Sequence, residues 1–343
     1  MPGTSTRDLT VAVTGPTGTF GFGLMPLLQG DDRVRRIIGI ARRPFDPLQY
    51  GWTKMEFRRG DVRDLAALEA AFRGVDVVVH LAFMITGNAA RETIREINIE
   101  GTSNTFEAAA RASAKRFVYA SSVAAYGFDR DNPVGMTEDW PTRPAKRLFY
   151  AQEKAELEHL LKTEGSAHPE LGLYVLRPPV VLGPHALGAK RFLPEPLNTV
   201  AARLAAAVLP LRFPLPAVVP NVKVQFIHEE DVGQALLLCV VGAGPPGAYN
   251  IAGDGVMTGV DIARELGLAA IPIPGVLVRA AARAITRLPL PPRAEWVEAA
   301  AQPSIIDTTK AKRELGWQPR YTSTDALRDT IRRPPADHDR HTR

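Results

Sequence analysis

The chain has 343 residues, 45% of them hydrophobic, and a formal net charge of +5. That is enough apolar material for a large core with a smaller attached region, while the single cysteine, Cys239, excludes an intramolecular disulfide and a cysteine-rich metal cage. The modest positive excess falls partly in Arg332–Arg343 and forms no basic stripe interleaved with aromatics, no apolar run is long enough for a membrane span, and no signal peptide is recognisable. A cytoplasmic protein with no nucleic-acid partner and no metal is therefore expected.

The first element is the β-branched run Leu9–Val13. It leads directly into Thr14-Gly15-Pro16-Thr17-Gly18-Thr19-Phe20-Gly21 and the apolar stretch Phe22–Leu28. This order is strand, glycine loop, helix. Gly15 permits a tight turn, Gly18 lets the backbone approach a pyrophosphate at the helix N-terminus, and Gly21 lets the helix pack closely on the strand. An ordinary Gly-rich turn shares these glycines; their place between first strand and helix favours a dinucleotide.

Arg36–Ile40 reads as the second strand. Where an NAD-selective fold sets an acid against the ribose hydroxyls stands Ala41, followed by Arg42 and Arg43. Two guanidiniums suit a 2′-phosphate, so NADP is favoured over NAD, with a solvated basic loop before Pro44 as the alternative.

Val75–Ala82 and Arg116–Ser122 read as buried parallel strands, with helical periodicity between them from Glu92 to Ala112. In the next helical stretch Tyr150 and Lys154 share a face at i, i+4. A cation beside a phenol lowers its pKa from about 10 toward neutrality, which suits proton transfer at a hydroxyl or carbonyl. An exposed helix face also carries such a spacing, so the pair gains meaning only from its company.

Leu173–Arg177 is a further strand, stopped by Pro178-Pro179. Residues 184–222 are rich in proline and leucine, and Val224–Ile227 and Ala248–Ile251 again resemble strands. Cys239 lies in an apolar run and reads as a buried thiol. His80 reads as a strand-end residue near a cofactor, and His185 and His228 lack the neighbours a metal site needs. Glu138 and Asp139 read as a solvated loop. Asp231 and Asp307 read as caps of helices beginning at Val232 and Thr308. The expected fold is α/β: a Rossmann-type doubly wound parallel sheet formed by 8–185 plus 223–255, with a smaller substrate-binding cap from 186–222 plus 256–325. The ends, 1–7 and 330–343, are expected to be disordered.

Six motifs in this order resemble the extended short-chain dehydrogenase/reductase superfamily, in its NAD-dependent epimerase/dehydratase branch, from about Thr10 to Tyr321. They are Thr14 through Gly21, Gly60-Asp61-Val62-Arg63-Asp64, His80-Leu81-Ala82, Asn98-Ile99-Glu100-Gly101-Thr102, Ser121-Ser122-Val123-Ala124-Ala125-Tyr126-Gly127, and Tyr150 through Lys154. The likeness is closest to bacterial UDP-glucose 4-epimerase-like members. It implies Tyr150 as catalytic acid/base, Lys154 as the group that holds the nicotinamide ribose, and Ser122 as the group that orients the substrate oxygen. It also implies that Asn98 supports a helix kink and a water leading to Lys154. By the same resemblance Gly15, Thr17, Gly18, Thr19, Phe20 and Gly21 cradle the dinucleotide. Arg42 and Arg43 meet its ribose end, Asp61 and Val62 flank the adenine, Leu81 and Ala82 line the trough, and Pro178 sits by the nicotinamide amide. A homodimer through two helices is implied as well.

Two departures narrow the chemistry. Dehydratases of this branch carry an Asp-Glu pair after the hydroxyl residue, and here Val123 and Ala124 stand there. Sugar-nucleotide epimerases place an arginine for the diphosphate where this chain has Val224; Lys223, Lys190 and Arg191 are the available substitutes. With the apolar run Val208–Pro220, this leaves a nucleotide sugar and a less polar carbonyl or alcohol both open as substrate. A non-catalytic dinucleotide-binding regulator is the third reading, and retention of both Tyr150 and Lys154 counts against it.

Overall fold

In the computed structural model, residues 8–85, 90–145, 147–186, 216–278 and 302–332 are described. Lys190, Arg191, the stretch Val208–Leu215 and the chain ends 1–7 and 333–343 lie outside them. The apolar runs form strands β1 (Leu9–Thr14), β2 (Val34–Ala41), β3 (Met55–Arg59), β4 (Val77–His80), β5 (Arg116–Ala120) and β6 (Gly172–Arg177). Short strands follow: β7 (Val180–Leu182), β8 (Pro216–Pro220), β9 (Lys223–Val224), β10 (Phe226–His228), β11 (Gly247–Asn250), β12 (Met257–Thr258) and β13 (Ala269–Ile273). The helices that shape the site are α1 (Thr19–Gly30), α2 (Leu65–Ala71), α3 (Arg91–Arg95), α4 (Gly101–Arg111), α5 (Phe149–Ala167) and α6 (Glu229–Val241).

Seven strands make one sheet in the order β11-β6-β5-β4-β1-β2-β3, and every pairing in it is parallel. Such a sheet must be covered on both faces, which is why β1 and β4 are buried along their whole length. On one face Leu24, Met25 and Leu28 of α1 pack with Val232, Leu236 and Cys239 of α6. On the other, Leu68, Phe106, Leu157 and Leu161 bring in α2, α4 and α5. The doubly wound Rossmann-type fold follows. Helices α1 and α6 meet backbone to backbone: a Cβ on Gly23 would lie 2.1 Å from the Glu229 carbonyl oxygen, and one on Gly233 would lie 2.1 Å from the Gly23 oxygen.

Beyond the sheet the chain builds small pairs, β7 with β10, β9 with β12 and β8 with β13. Among the described residues no helix is long and apolar enough to cross a membrane.

Several local expectations are corrected. The helical stretch from Glu92 is three pieces, because a π-helical turn at Glu96–Glu100 separates α3 from α4. The strand expected at Val224–Ile227 breaks at Gln225, whose amide leaves the ladder to bond both backbone groups of Ile306. Asp231 caps no helix: α6 begins at Glu229 behind His228, and the Asp231 carboxylate instead accepts from the backbone N–H groups of Arg320 and Tyr321. Asp307 stands one place outside the cap of Thr309–Glu314, yet it still accepts from Thr309 N at 2.7 Å. Residues 330–332 belong to the helix Ser323–Arg332, where Thr330 accepts from Gly183 N, so the expected disorder does not begin at 330.

Candidate active site

The strand order reverses between β1 and β4, and in folds of this kind ligands bind outside the carboxyl ends of the strands at such a point. Gly15 takes φ +70° at the end of β1, a conformation that favours glycine, and a Cβ there would lie 3.0 Å from Ala82 backbone atoms. The turn closes by Gly18 N donating to Gly15 O, and Gly18 caps α1 with no side-chain bond, so the first backbone N–H groups of this helix keep no side-chain partner at the cap. At Gly21 a Cβ would fall 2.0 Å from the Pro16 oxygen, so its role is to let the helix close on its own loop rather than on the strand. Thr17, Thr19 and Phe20 are half-buried around this turn, and the Thr19 hydroxyl donates to His185 O. A loop closed to side chains at Gly15 and Gly21, with an exposed Gly18 and a helix N-terminus behind it, fits a dinucleotide pyrophosphate.

Opposite the loop, Leu81 and Ala82 leave β4, and both their N–H groups donate to Thr14 Oγ1. His80 is locked between Thr14 and Thr102, with ring nitrogens 2.8 and 3.0 Å from the two hydroxyls. Burial, and then the Lys154 charge, push its pKa down to about 3, which makes it a neutral structural residue. Arg42 and Arg43 are exposed just past β2. Asp61 is paired with Arg63 at 2.8 Å, a bond that, with the Arg42 charge adding a smaller part, holds its carboxyl below the usual range. The Val62 side chain is largely spent against Gly101, where a Cβ would lie 2.4 Å from it.

Helix α5 starts at Phe149 and carries Tyr150 and Lys154 on its inner face. Tyr150 hydrogen-bonds with Ser122, the residue that ends the β5 segment. Ser122 also accepts from Ala124 N at 3.2 Å, so it both caps a short turn and meets the phenol. Pro178 is tied to the same loop, its carbonyl accepting from Val123 N. Lys154 is buried, donates to Tyr119 Oη at 3.0 Å and to the Ala120 carbonyl at 2.8 Å, and stands 5.9 Å from the Tyr150 ring centroid.

At Tyr150 burial outweighs the neighbouring hydrogen bond. Burial around its hydroxyl pushes the phenol up to about 12, and only the Ser122 bond opposes this. Burial of Lys154 depresses its ammonium to about 7, against which Glu158 and Glu153 act in the other direction.

Asn98 is the buried residue that the π-helical turn projects inward. Its Oδ1 accepts from Met84 N at 2.8 Å, and its Nδ2 donates to Met84 O at 2.9 Å and to Glu153 Oε2 at 2.8 Å. The helix irregularity expected at Asn98 is therefore present, and its side chain clamps the loop after β4 to α5.

The model of the NAD dependent epimerase/dehydratase family matches residues 11–252. This chain belongs to that family. Its members are NAD-dependent enzymes, and a nicotinamide dinucleotide is the cofactor the cradle accommodates. An uncharacterized protein of Mycobacterium tuberculosis is 28% identical over 335 residues, which cover 94% of this chain and 83% of that protein. Sterol demethylase protein B of Methylococcus capsulatus is 32% identical over 180 residues, covering 51% of this chain and 52% of the relative. The dTDP-glucose 4,6-dehydratase DesIV of Streptomyces venezuelae, solved with NAD and TYD bound, superposes with a TM-score of 0.69 at 21% identity, covering 94% and 96% of the two chains. UDP-glucose 4-epimerase of Thermotoga maritima, solved with UDP-glucose, gives a TM-score of 0.66 at 20% identity, covering 94% and 97%.

At Val123, Ala124 and Val224, where an acid, a base and a diphosphate-binding arginine are absent from the sequence, the side chains pack into apolar clusters. Val123 joins Tyr126, Met136 and Ile306, and Ala124 joins Ala145, Leu148 and Ala151. Val224 packs with Leu182, Phe226 and Met257, while Lys223 beside it is exposed.

Three further expectations change. Glu138 is no solvated residue: its carboxylate accepts from Asn250 N at 2.7 Å, and burial, then opposed by that bond, raises its pKa. His185 lies 2.7 Å from Glu229, and His228 lies 3.2 Å from Asp329, acids remote in the sequence. Among the described residues no group of three potential ligands collects around either. Sequence reading also missed Glu158 and Glu153, at i+4 and i−1 of Lys154, as well as Phe83 and the pairing of Arg177 with Glu158.

Proposed function

We propose that this protein is an NAD(P)-dependent oxidoreductase that reduces a carbonyl on a substrate of low polarity, with Tyr150 as proton donor, Ser122 as orienting group and Lys154 as the buried cation beside them. The observation that carries this reading is geometric: Tyr150 is hydrogen-bonded to Ser122, and the buried Lys154 Nζ lies 5.9 Å from its ring centroid. The phenol carries a proton at neutral pH and, beside Ser122, can give it to a carbonyl oxygen seated between the two hydroxyls. When bound, the dinucleotide supplies the hydride to the carbonyl carbon. Tyr150 gives its proton to the carbonyl oxygen as the C=O π bond becomes a lone pair, Ser122 donates a hydrogen bond to that oxygen, and water returns the proton to Tyr150.

The apolar surroundings of Val123, Ala124 and Val224 argue against a diphosphate and against an added acid and base for elimination. The Methylococcus relative is named for sterol demethylation, which agrees with an apolar substrate. Epimerisation of a nucleotide sugar is the second reading, favoured by the likeness of fold to enzymes solved with nucleotide sugars or their fragments. The two differ in cofactor balance. Purified protein mixed with NADPH and a panel of apolar ketones is expected to consume NADPH stoichiometrically; retention of tightly bound oxidised dinucleotide with no net consumption, together with turnover of UDP-sugars, would establish the epimerase instead.

The exposed Arg42 and Arg43 support NADP as the preferred dinucleotide. Arg42→Ala is expected to weaken NADP(H) binding about 10- to 100-fold, the worth of a charge-assisted bond, and to leave NAD(H) binding unchanged. Titration calorimetry with both dinucleotides checks this, and equal loss for both removes the argument for the 2′-phosphate.

A further inference from the structure

Lys154 is an unusual cation in its immediate bonding. It is 3% exposed, its two hydrogen bonds go to neutral oxygens, and it forms no ion pair among the described residues. The carboxylates on its own helix are engaged elsewhere. Glu158 accepts from Arg177 and from Ser121 at 2.6 Å, and Glu153 accepts from Asn98. The closest group of another kind is the ring of Phe83, whose centroid lies 3.7 Å from Nζ, nearer than the rings of Tyr119 at 4.8 Å and Tyr150 at 5.9 Å.

Phe83 also meets Tyr150 edge to face, with centroids 5.6 Å apart at 89°. One ring thus touches both members of the pair. Its place is set by the next residue, because Asn98 holds both backbone groups of Met84. The π-helical turn brings Asn98 inward, and the third Asn98 bond anchors the clamp to Glu153, the residue before Lys154.

We propose that Phe83 is a positioning residue for Lys154: held by the Asn98–Met84 clamp, its π face caps the buried ammonium and keeps the charged form beside Tyr150. This rests on the reading of Tyr150 and Lys154 as the reacting pair. A cation over a desolvated aromatic face gains more than one in water, and the neutral amine gains nothing comparable, so the ring favours the protonated state. The groups that face Lys154 from the packed elements leave room for this contribution. His80 on β4 is neutral, Tyr119 on β5 is a phenol whose pKa burial raises further, Glu158 is balanced by Arg177 of β6, and Glu153 has Arg95 near it.

The test is direct titration of Lys154 in the full-length protein, with lysine Nζ labelled by ¹⁵N and the Lys154 signal assigned by its loss in Lys154→Met. Removing a ring that favours the ammonium lowers the midpoint below its already depressed position, so Phe83→Leu is expected to shift it down by about one pH unit. Phe83→Tyr keeps the π face and should hold the wild-type midpoint, and Asn98→Ala should move it in the same direction as Phe83→Leu by loosening the loop. Phe83→Met serves in place of Phe83→Leu if the latter fails to fold. An unmoved midpoint in a folded ring-deleted variant overturns the proposal, as does a shift in Phe83→Tyr as large as that in Phe83→Leu. The titration needs no turnover, so failure of the catalytic reading leaves its outcome legible.

Discussion

Tyr150→Phe is expected to reduce turnover about 10²–10⁴-fold while dinucleotide affinity and thermal stability stay near wild type. The substitution deletes one oxygen and keeps the ring, so the edge-to-face contact with Phe83 and the packing beside Ala145, Leu148 and Ala151 survive. What goes is the group bonded to Ser122 and able to donate a proton. The pH profile separates this acid from its neighbour. Burial pushes the phenol up to about 12 and the Lys154 ammonium down to about 7, so the alkaline limb of the wild-type reductive rate is expected to follow Lys154. Steady-state NADPH consumption for wild type and variant, with dinucleotide binding measured separately, checks both statements. A Tyr150→Phe protein that turns over within a few-fold of wild type would remove Tyr150 from the chemistry, whatever its position.

Much of this was legible in the chain. Buried parallel strands announce themselves as continuous apolar runs, as in Val77–Val79, and the glycine loop is recognisable because Gly15 and Gly21 serve steric needs that no other residue meets. Residues whose roles depend on partners far along the chain were not. The π-helical turn depends on Asn98 reaching Met84 and Glu153, which lie 14 and 55 positions away. Asp231 sits at a helix start and looks like a cap, yet its carboxylate serves backbone groups 89 and 90 positions on. The protonation of Tyr150 is illegible in the sequence for a related reason. A spacing of four reports that two side chains share a helix face, but not how deeply both are buried, and burial acts in opposite senses on a phenol and an ammonium.

Arg177→Met is expected to be the most destabilising of these substitutions, by about 3–5 kcal/mol, because it leaves Glu158 buried without its cation. The side chains of the pair are 7% and 6% exposed, and the guanidinium meets the carboxylate through Nε at 3.0 Å and Nη2 at 2.5 Å. Arg177 also donates to Tyr126 Oη at 2.7 Å and to Glu138 O, and Tyr126 in turn donates to Asn250 Oδ1. The network therefore joins the carboxyl ends of β5, β6 and β11, where Ser122 and Pro178 stand. Urea unfolding measures the loss. Removing both charges, as Arg177→Met with Glu158→Leu, should recover much of the stability, since two apolar side chains leave no buried ion uncompensated. Recovery of stability without recovery of turnover would show that the pair holds the Ser122 loop in register as well as holding the fold together. Recovery of both would mean that packing alone suffices there, and that Arg177 matters only as the counter-charge to Glu158.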